Sequence, residues 1–247
     1  MKLVKLSIML LVAITLVAGT AFAAPEALAP ITGGTSMPQR VATDSKGNVY
    51  VSEPALGEVL KFSSTGTVVN VLYAARPLGI AVAADGKIYV GSGTDQRVYI
   101  YSADLTPLGC LGTAGSCESF TRPNDIAIDG TGRIYVVDWA PAVSAVKVYD
   151  PAGTLSTTIS GVTATTATRL LMPMGVAVND ATGEVFVTDA PLDTCQGNVI
   201  NGARISVFDK NGKTLYFTAS TNEGLSAGWL DLSSYQHPVL RTVYAEV

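Results

Sequence analysis

The sequence predicts an all-β fold built from repeated four-stranded antiparallel sheets, and three observations lead to this prediction. One pattern occurs four times: MPQRVATDSKGNVYVSE from Met37, RPLGIAVAADGKIYVGS from Arg76, RPNDIAIDGTGRIYVVD from Arg122 and MPMGVAVNDATGEVFVTD from Met172. The prolines of these copies are 39, 46 and 50 residues apart, and strand-rich repeats of this length are typical of propeller blades. Within each copy, apolar and polar residues alternate between turn residues, as in half-buried strands.

Each copy contains the same four strands in the same order. The first is a short apolar strand after the proline, and a turn containing Gly47, Gly86, Gly132 or Gly183 leads to the second strand (VYV, IYV, IYV, VFV). The third strand alternates and ends on an aromatic residue, at Phe62, Tyr101, Tyr149 and Phe208. SSTG, SADL, DPAG and DKNG follow with the composition of hairpin turns, and an outer strand such as TVVNVL or TLSTTI completes the sheet.

These repeats resemble the NHL repeat, a unit of β-propellers that commonly carry six blades. The resemblance extends over residues 36–218 and implies a propeller region 36–224, with blades at about 36–72, 76–111, 121–160 and 171–218. No fifth copy follows, although RTVYAEV near the C-terminus has the alternation of a strand. We therefore expect a β-propeller with four recognisable blades, either closed at four or an incomplete or divergent six-bladed propeller.

The two ends of the chain have distinct compositions. Residues 1–23 read as a secretory signal peptide, with a basic start, an apolar stretch and small residues before a cleavage site near Ala23 or Ala24. The apolar stretch is shorter than the about 20 residues that cross a bilayer, so we expect a secreted or periplasmic protein with no membrane span after cleavage. A segment 24–35 then precedes the blades, and residues 225–247 form a tail or the start of a truncated blade.

The net charge of the chain argues against nucleic acid as a partner. Cleavage removes Lys2 and Lys5, which leaves 14 basic and 20 acidic residues and a net charge of −6. Phosphate binding needs a basic surface, so nucleic acid is not an expected partner.

The connections at one end of the blades vary more than those at the other. We call the end with the strand 2–3 and strand 4–1 connections the loop face, and the opposite end the turn face. The loop-face connections range from SGTDQ to DAPLDTCQGNVINGA, whereas the turn-face connections are short and uniform. Because binding residues concentrate on loops held by a rigid scaffold, the loop face is the predicted functional surface.

Strand 1 starts and strand 2 ends at the loop face, which selects six candidate binding residues: Arg40, Asn124, Asp125, Asp138, Trp139 and Asp189. Asn124, Asp125 and Asp138 of the third copy form a candidate metal site, because amide and carboxylate oxygens suit Ca²⁺ or Mg²⁺. Their PND stretch resembles that of gluconolactonase-like and regucalcin-like propellers, whose channel metal activates lactone hydrolysis. The alternative is that Asp125 and the strand 2 acids accept hydrogen bonds from loop N–H groups and hold the turns.

The remaining candidates have two readings each. Arg40 and Arg122 bind an anionic ligand or pair with neighbouring acids, and Trp139 and Trp229 stack on a sugar or peptide or pack in the fold. The single histidine, His237, lies beyond the repeats, which excludes a Ser-His-Asp triad within the blades.

Three cysteines follow the signal peptide. Cys110 and Cys117 can close a small loop in an oxidising compartment, which leaves Cys195 over, although the connectivity is open.

Together these features predict an exported NHL-type propeller that acts as a rigid scaffold for a protein, peptide or glycan bound at the loop face. Two alternatives stay open. One is a divalent-metal-dependent hydrolase, lactonase or lyase with its site at the channel mouth, and the other is the propeller portion of a larger surface protein.

Overall fold

The computed structural model describes residues 34–113, 116–140, 144–159, 170, 172–189 and 204–219. The predicted signal peptide, the predicted tail 225–247, Cys195, Trp229 and His237 lie outside these residues, as do most of the last 4–1 and 2–3 connections. All described strands belong to one compact unit, Thr32–Val247.

Sixteen β-strands form four separate four-stranded sheets, and none of the described residues is helical. The predicted all-β propeller architecture is therefore confirmed. Blade 1 contains β1 (Arg40–Thr43), β2 (Val49–Glu53), β3 (Glu58–Phe62) and β4 (Val68–Tyr73), and blade 2 contains β5 (Pro77–Val82), β6 (Ile88–Ser92), β7 (Arg97–Tyr101) and β8 (Pro107–Cys110). Blade 3 contains β9 (Pro123–Ile128), β10 (Ile134–Asp138), β11 (Ala145–Tyr149) and β12 (Leu155–Ile159), and blade 4 contains β13 (Pro173–Asn179), β14 (Glu184–Asp189), β15 (Arg204–Phe208) and β16 (Thr214–Ala219).

Within each blade, every strand pairs antiparallel with the next strand of the chain. The first strands β1, β5, β9 and β13 contact one another from blade to blade, so they line the centre, and the fourth strands lie outermost. In blades 1, 2 and 3, the second strand also packs on the first strand of the following blade. The 1–2 and 3–4 turns therefore share the turn face, and the longer connections share the loop face, as the repeat predicts.

Apolar clusters fill the spaces between consecutive blades. Blades 1 and 2 share a cluster that includes Tyr50, Val59, Ile80 and Tyr101, and blades 3 and 4 share one that includes Tyr135, Val146, Val187 and Phe208. The aromatic residues that end the third strands are all buried, with exposed fractions of 0% for Phe62, 7% for Tyr101, 0% for Tyr149 and 1% for Phe208. They belong to the core, and the functional residues must be sought elsewhere.

The first blade keeps a stacking face that no described blade covers. Val41 occupies the position in its repeat that Ile80 and Ile126 occupy in theirs. Ile80 and Ile126 are 3% and 5% exposed, whereas Val41 is 64% exposed. Within the described residues, no apolar cluster joins blade 4 to blade 1.

The turn face is fixed by a repeated aspartate–tyrosine contact. The Tyr50 hydroxyl donates to the Asp44 carboxylate at 3.1 Å, and the Tyr135 hydroxyl donates to Asp129 at 3.0 Å. Burial, reinforced by the neighbouring carboxylate, raises the pKa of both tyrosines to about 12. The same carboxylates accept backbone N–H groups of their own turns, for example from Asn48 and Arg133, so this face is internally satisfied.

Candidate functional site on the loop face

A side chain at the end of strand 2 holds the loop face together in every blade. Glu53 accepts the N–H groups of Ser36 and Met37, at 3.1 and 2.8 Å. Asp138 accepts those of Thr121 and Arg122, both at 2.8 Å.

Blades 2 and 4 carry the same device with different side chains. Asp189 accepts the N–H of Met172 at 2.6 Å, and Ser92 in the second copy donates to the Ala75 carbonyl at 2.7 Å. Glu53, Ser92, Asp138 and Asp189 are all buried. We call these four side chains the clamp residues, because each one fixes the connection that leads into strand 1 of its own blade.

Arg40 and Asp125 meet at the centre of the molecule. The Arg40 Nε lies 3.1 Å from the Asp125 Oδ1, and the two side chains are 24% and 16% exposed. Arg40 also donates to the main-chain carbonyl of Met174, so one side chain from blade 1 contacts blades 3 and 4. Asp125 accepts the Val176 N–H as well, at 3.0 Å.

Burial dominates the ionisation of Asp125. It raises the pKa of the Asp125 carboxyl above its ordinary value, although the Val176 N–H and the Arg40 guanidinium oppose the shift. A carboxyl group whose pKa is raised in a central cleft has the property expected of a proton-transfer group. In this protein, however, the Asp125 carboxylate already pairs with the Arg40 guanidinium and accepts the Val176 N–H.

Two glycines give Asp125 the room it occupies. Gly79 and Gly175 hold the position of Asp125 in their own repeats. A Cβ atom on Gly79 would lie 2.8 Å from the Asp125 Cα, and a Cβ atom on Gly175 would lie 3.3 Å from the Asp125 Oδ2. The ring of four equivalent positions therefore carries one arginine and one aspartate, with a glycine on each side of the aspartate.

Asn124 is buried beside this pair, with 1% of its surface exposed. Its amide nitrogen lies 3.5 Å from the Pro173 carbonyl and 3.8 Å from the Met174 sulfur, and its Oδ1 has no hydrogen-bond partner among the described residues. A buried amide oxygen without a donor carries a desolvation penalty. This oxygen can accept a hydrogen bond from a water molecule or a ligand that enters the centre.

The predicted metal ligands Asn124, Asp125 and Asp138 do not converge. In the β9–β10 pair, Asp125 lies opposite Val137, while Asp138 lies opposite Pro123 across a register shift. Because successive strand residues point to opposite faces of a sheet, Asp125 shares the face of Val137, which packs with blade 4. Asp138 points to the other face, where its carboxylate lies 3.4 Å from the Lys147 ammonium.

No group of three or more His, Cys, Asp or Glu side chains within the described residues has the arrangement of a metal site. The donor set proposed for Ca²⁺ or Mg²⁺ therefore does not fit: Asp125 is paired with Arg40, and Asp138 is a clamp residue. Asp138 and Asp189 accept hydrogen bonds from loop N–H groups, as the alternative reading expects, whereas Asp125 binds Arg40 and a strand N–H group of β13.

The Arg122 guanidinium stacks on the Trp139 ring at the rim of the loop face. The Arg122 guanidinium lies 5.6 Å from the centre of the Trp139 ring, and the Trp139 N–H donates to the Arg122 carbonyl at 3.0 Å. Both residues are half-buried. The Arg122 Nε has no hydrogen-bond partner among the described residues, and no described carboxylate pairs with this arginine. Of the two predicted rim arginines, Arg40 is neutralised and Arg122 is not.

Two residues near this contact were not among the predicted candidates. Gln96 reaches the Thr121 carbonyl, next to Arg122, and Arg76 holds the position of Arg122 in the second copy. Both have a left-handed backbone, with φ of 52° for Arg76 and 58° for Gln96. Such a conformation is uncommon for residues other than glycine and costs on the order of 1 kcal/mol or more. The turn composition Ser-Gly-Thr-Asp-Gln signals a tight connection, but nothing local to Arg76 signals its conformation.

The disulfide pairs Cys110 with Cys117, whose Cα atoms are 5.4 Å apart. Arg97 at the start of β7 donates to the Cys117 carbonyl at 3.2 Å. The disulfide loop is thus attached to the loop face of blade 2, close to the connection that leads to Arg122.

A cavity of about 550 Å³ lies on the opposite, turn face between blades 3 and 4. Its lining includes Asp129, Arg133, Asp180 and Lys210. Asp129 is saturated by its own turn and by Tyr135, Asp180 accepts the Gly130 N–H at 2.7 Å, and Arg133 donates to the Lys210 carbonyl at 3.0 Å. Most of its polar groups are engaged with each other, in contrast to the rim arginines.

Comparison with known protein families finds no match, and no curated protein matches the sequence. Solved structures do resemble the fold. Hydrazine synthase of Kuenenia stuttgartiensis superimposes with a TM-score of 0.60 at 14% identity, covering 76% of this chain and 51% of that one. A chain of a nidogen/laminin complex superimposes with a TM-score of 0.58 at 15% identity, covering 76% of this chain and 65% of that one.

Both neighbours contain β-propellers, and at these identities the likeness concerns the fold alone. The chain spans about half the length of the first neighbour and just under two thirds of the second. Among the described residues there is no helix long and apolar enough to cross a membrane.

Proposed function

We propose that this protein is an exported, NHL-type β-propeller that binds a partner on its loop face without covalent chemistry. The proposal is carried by the observation that one set of loop-face residues holds the loops while another set is free to contact a partner. The clamp residues fix the entry to every first strand, so the loops are held on a rigid scaffold. Arg76, Arg122 and Trp139 project beside them without a described acidic partner. A preformed surface of this kind loses little conformational entropy on binding.

The class of partner is a protein, peptide or glycan. Arginine and tryptophan are the side chains that most often dominate binding energy at recognition surfaces. The nidogen/laminin neighbour is named for a protein complex, which is compatible with recognition by such a scaffold. Export rests on the N-terminal signal sequence, and the NHL assignment rests on the four repeats.

A second candidate follows from the uncovered stacking face of blade 1, where Val41 is 64% exposed. On this view the four blades are the propeller portion of a larger surface protein, and further blades cover that face. An unpaired sheet face of this kind favours association. Analytical ultracentrifugation separates the two candidates, because a self-sufficient scaffold stays monomeric and an exposed stacking face produces oligomers.

The proposed function is tested by screening the mature protein against glycan and peptide arrays. A loop-face variant, Leu56→Glu with Thr121→Glu, is compared with a turn-face variant, Ser45→Glu with Ala84→Glu, which changes the net charge by the same amount. All four positions are exposed or half-buried, and each variant carries two new carboxylates. We expect every specific signal to be lost in the loop-face variant and kept in the turn-face variant. The reverse result, or equal loss in both, contradicts the assignment of the face.

A further inference from the structure

Among the described residues, the loop face carries more arginine than lysine, although Arg133 lies on the turn face and Lys147 contacts acids of the loop face. Arg40, Arg76, Arg97 and Arg122 lie at the loop face, whereas most lysines belong to the turn-face half, namely Lys46, Lys61, Lys87, Lys210 and Lys213. The planar guanidinium of arginine matches carboxylate and sulfate groups through two parallel hydrogen bonds, and lysine lacks this geometry. The face predicted to bind therefore carries the cation suited to recognising oxyanions.

Two of these arginines flank one tight turn between β6 and β7. The Gly93 N–H donates to the Arg76 carbonyl at 3.0 Å, and a Cβ atom on Gly93 would lie 3.3 Å from the Arg76 Cδ. On the other side of the turn, the Gln96 carbonyl accepts the Phe120 N–H at 2.9 Å, and the Gln96 amide reaches the Thr121 carbonyl at 3.5 Å. Arg122 is the next residue, so both arginines border the same turn.

Three further cations of the loop face are occupied. Arg40 pairs with Asp125, Arg97 donates to the Cys117 carbonyl, and Lys147 lies 3.4 Å from carboxylate oxygens of both Glu118 and Asp138. Arg76 and Arg122 have no carboxylate partner among the described residues. We call the surface between Arg76 and Arg122, along the turn between β6 and β7, the seam. Arg76 is exposed and has a strained backbone, and the Arg122 Nε has no hydrogen-bond partner among the described residues.

The surroundings of the two arginines are polar. Thr94, Asp95, Gln96 and Thr121 border the seam. Trp139 supplies one indole, stacked against Arg122. Hydroxyl-rich ligands are recognised by hydrogen-bonding side chains together with an aromatic ring, whereas a peptide site normally offers apolar pockets for side chains.

We propose that Arg76 and Arg122, together with Trp139, form a binding site for an acidic polysaccharide that carries carboxylate groups on its sugars. The two guanidinium groups bind carboxylates, and the indole with the neighbouring hydroxyl and amide groups contacts the sugar ring. This proposal rests on the proposed function, because it assigns a ligand class to the loop face.

The test measures binding of the mature protein to polygalacturonate by biolayer interferometry, with dextran as a neutral polysaccharide and poly-L-glutamate as an acidic peptide. Arg76→Gln and Arg122→Gln each remove one cation of the site. Arg133→Gln is the matched control, because Arg133 stacks on Tyr135 at 5.4 Å in the same way but lies on the turn face. Thermal unfolding of each variant checks that it is folded.

We expect polygalacturonate to bind and dextran not to bind. Each loop-face variant should weaken binding about tenfold, since one charge-assisted hydrogen bond is lost, and Arg133→Gln should leave it unchanged. Equal weakening by all three variants would show an unspecific charge effect and overturn the proposal. Equal affinity for poly-L-glutamate would overturn the polysaccharide class.

Failure of the site and failure of the scaffold function give different results. If polygalacturonate does not bind, the proposed site is wrong. The scaffold function still stands in that case if the array screen finds another ligand that the loop-face variant loses and the turn-face variant keeps. If no array ligand distinguishes the two faces, the scaffold function fails as well.

Discussion

Replacing Asp138 by alanine separates a clamp residue from a metal ligand. Asp138 is 6% exposed, accepts the N–H groups of Thr121 and Arg122 at 2.8 Å each, and lies 3.4 Å from the Lys147 ammonium. The substitution removes two charge-assisted hydrogen bonds and leaves two backbone donors unpaired, while the Lys147 ammonium keeps Glu118 and the Ser119 carbonyl as partners. The Asp138 carboxylate is therefore needed for stability in the absence of any ion.

The expected loss can be estimated from these contacts. A hydrogen bond to a charged group contributes about 1.5–3 kcal/mol. Because Thr121 is exposed and water can replace part of its bond, the lower end applies, and we expect Asp138→Ala to lower the free energy of unfolding by about 3 kcal/mol. For a domain of this size that corresponds to a fall in Tm of about 6–12 °C.

Urea unfolding of the mature protein measures the effect. Asp138→Asn keeps one acceptor oxygen and should lose about half as much. Lys147→Met removes the ion pairs to Glu118 and Asp138 and the hydrogen bond to the Ser119 carbonyl. It leaves the two clamp hydrogen bonds of Asp138 in place, so it measures the contribution of the ammonium group separately. Each protein is unfolded with and without chelator. A loss below about 1 kcal/mol in Asp138→Ala would refute the clamp role, and so would a chelator effect on the wild type that Asp138→Ala abolishes.

Three further predictions follow from other contacts. The pKa of the Asp125 carboxyl is raised in the native state. The stability that this shift contributes is therefore fully present below the ordinary carboxyl pKa of 3.8 and is lost as pH rises through the raised native value. Urea unfolding across this pH range should show the fall in the wild type and not in Asp125→Asn. Tyr135→Phe should lower stability by about 1 kcal/mol, because it removes the hydroxyl that donates to Asp129, and an unchanged urea midpoint would contradict this. Reducing the disulfide of Cys110 and Cys117 opens a short loop and should lower stability by about 2.5 kcal/mol in the chain-entropy description; thermal scans with and without reductant measure it, and no shift would mean that the loop-closing restraint is unimportant.

Local sequence patterns predicted the blades well because blade formation depends on local signals. Alternation fixes which face of a strand is apolar, and the aromatic residues that the repeat places at the ends of the third strands are all buried. Consecutive blades pack through equivalent positions of the repeat, so the apolar positions of one copy also predict how the next blade packs on it. The face at Val41 is the exception, because no described blade covers it.

The candidate site was less predictable because it depends on contacts that are distant in the sequence. Arg40 and Asp125 are 85 residues apart, and nothing near either residue indicates that they pair. The face to which Asp138 points depends on a register shift between Val137 and Asp138. A sequence pattern places Asp125 and Asp138 at one rim but does not show that they lie on opposite faces of the sheet.

The clamp residues explain how the loop face can vary while the fold is kept. In each copy, a side chain at the end of strand 2 forms a hydrogen bond with the residues just before strand 1. This bond is the same whatever the length of the strand 4–1 connection that precedes strand 1. The loops therefore need not contribute to holding the blade, and their sequences can differ. The same reasoning moves the search for function away from the clamp position, where the acids are engaged. It leads to the residue before each proline, where Arg76 and Arg122 replace the methionines of the first and fourth copies and remain without a described acidic partner.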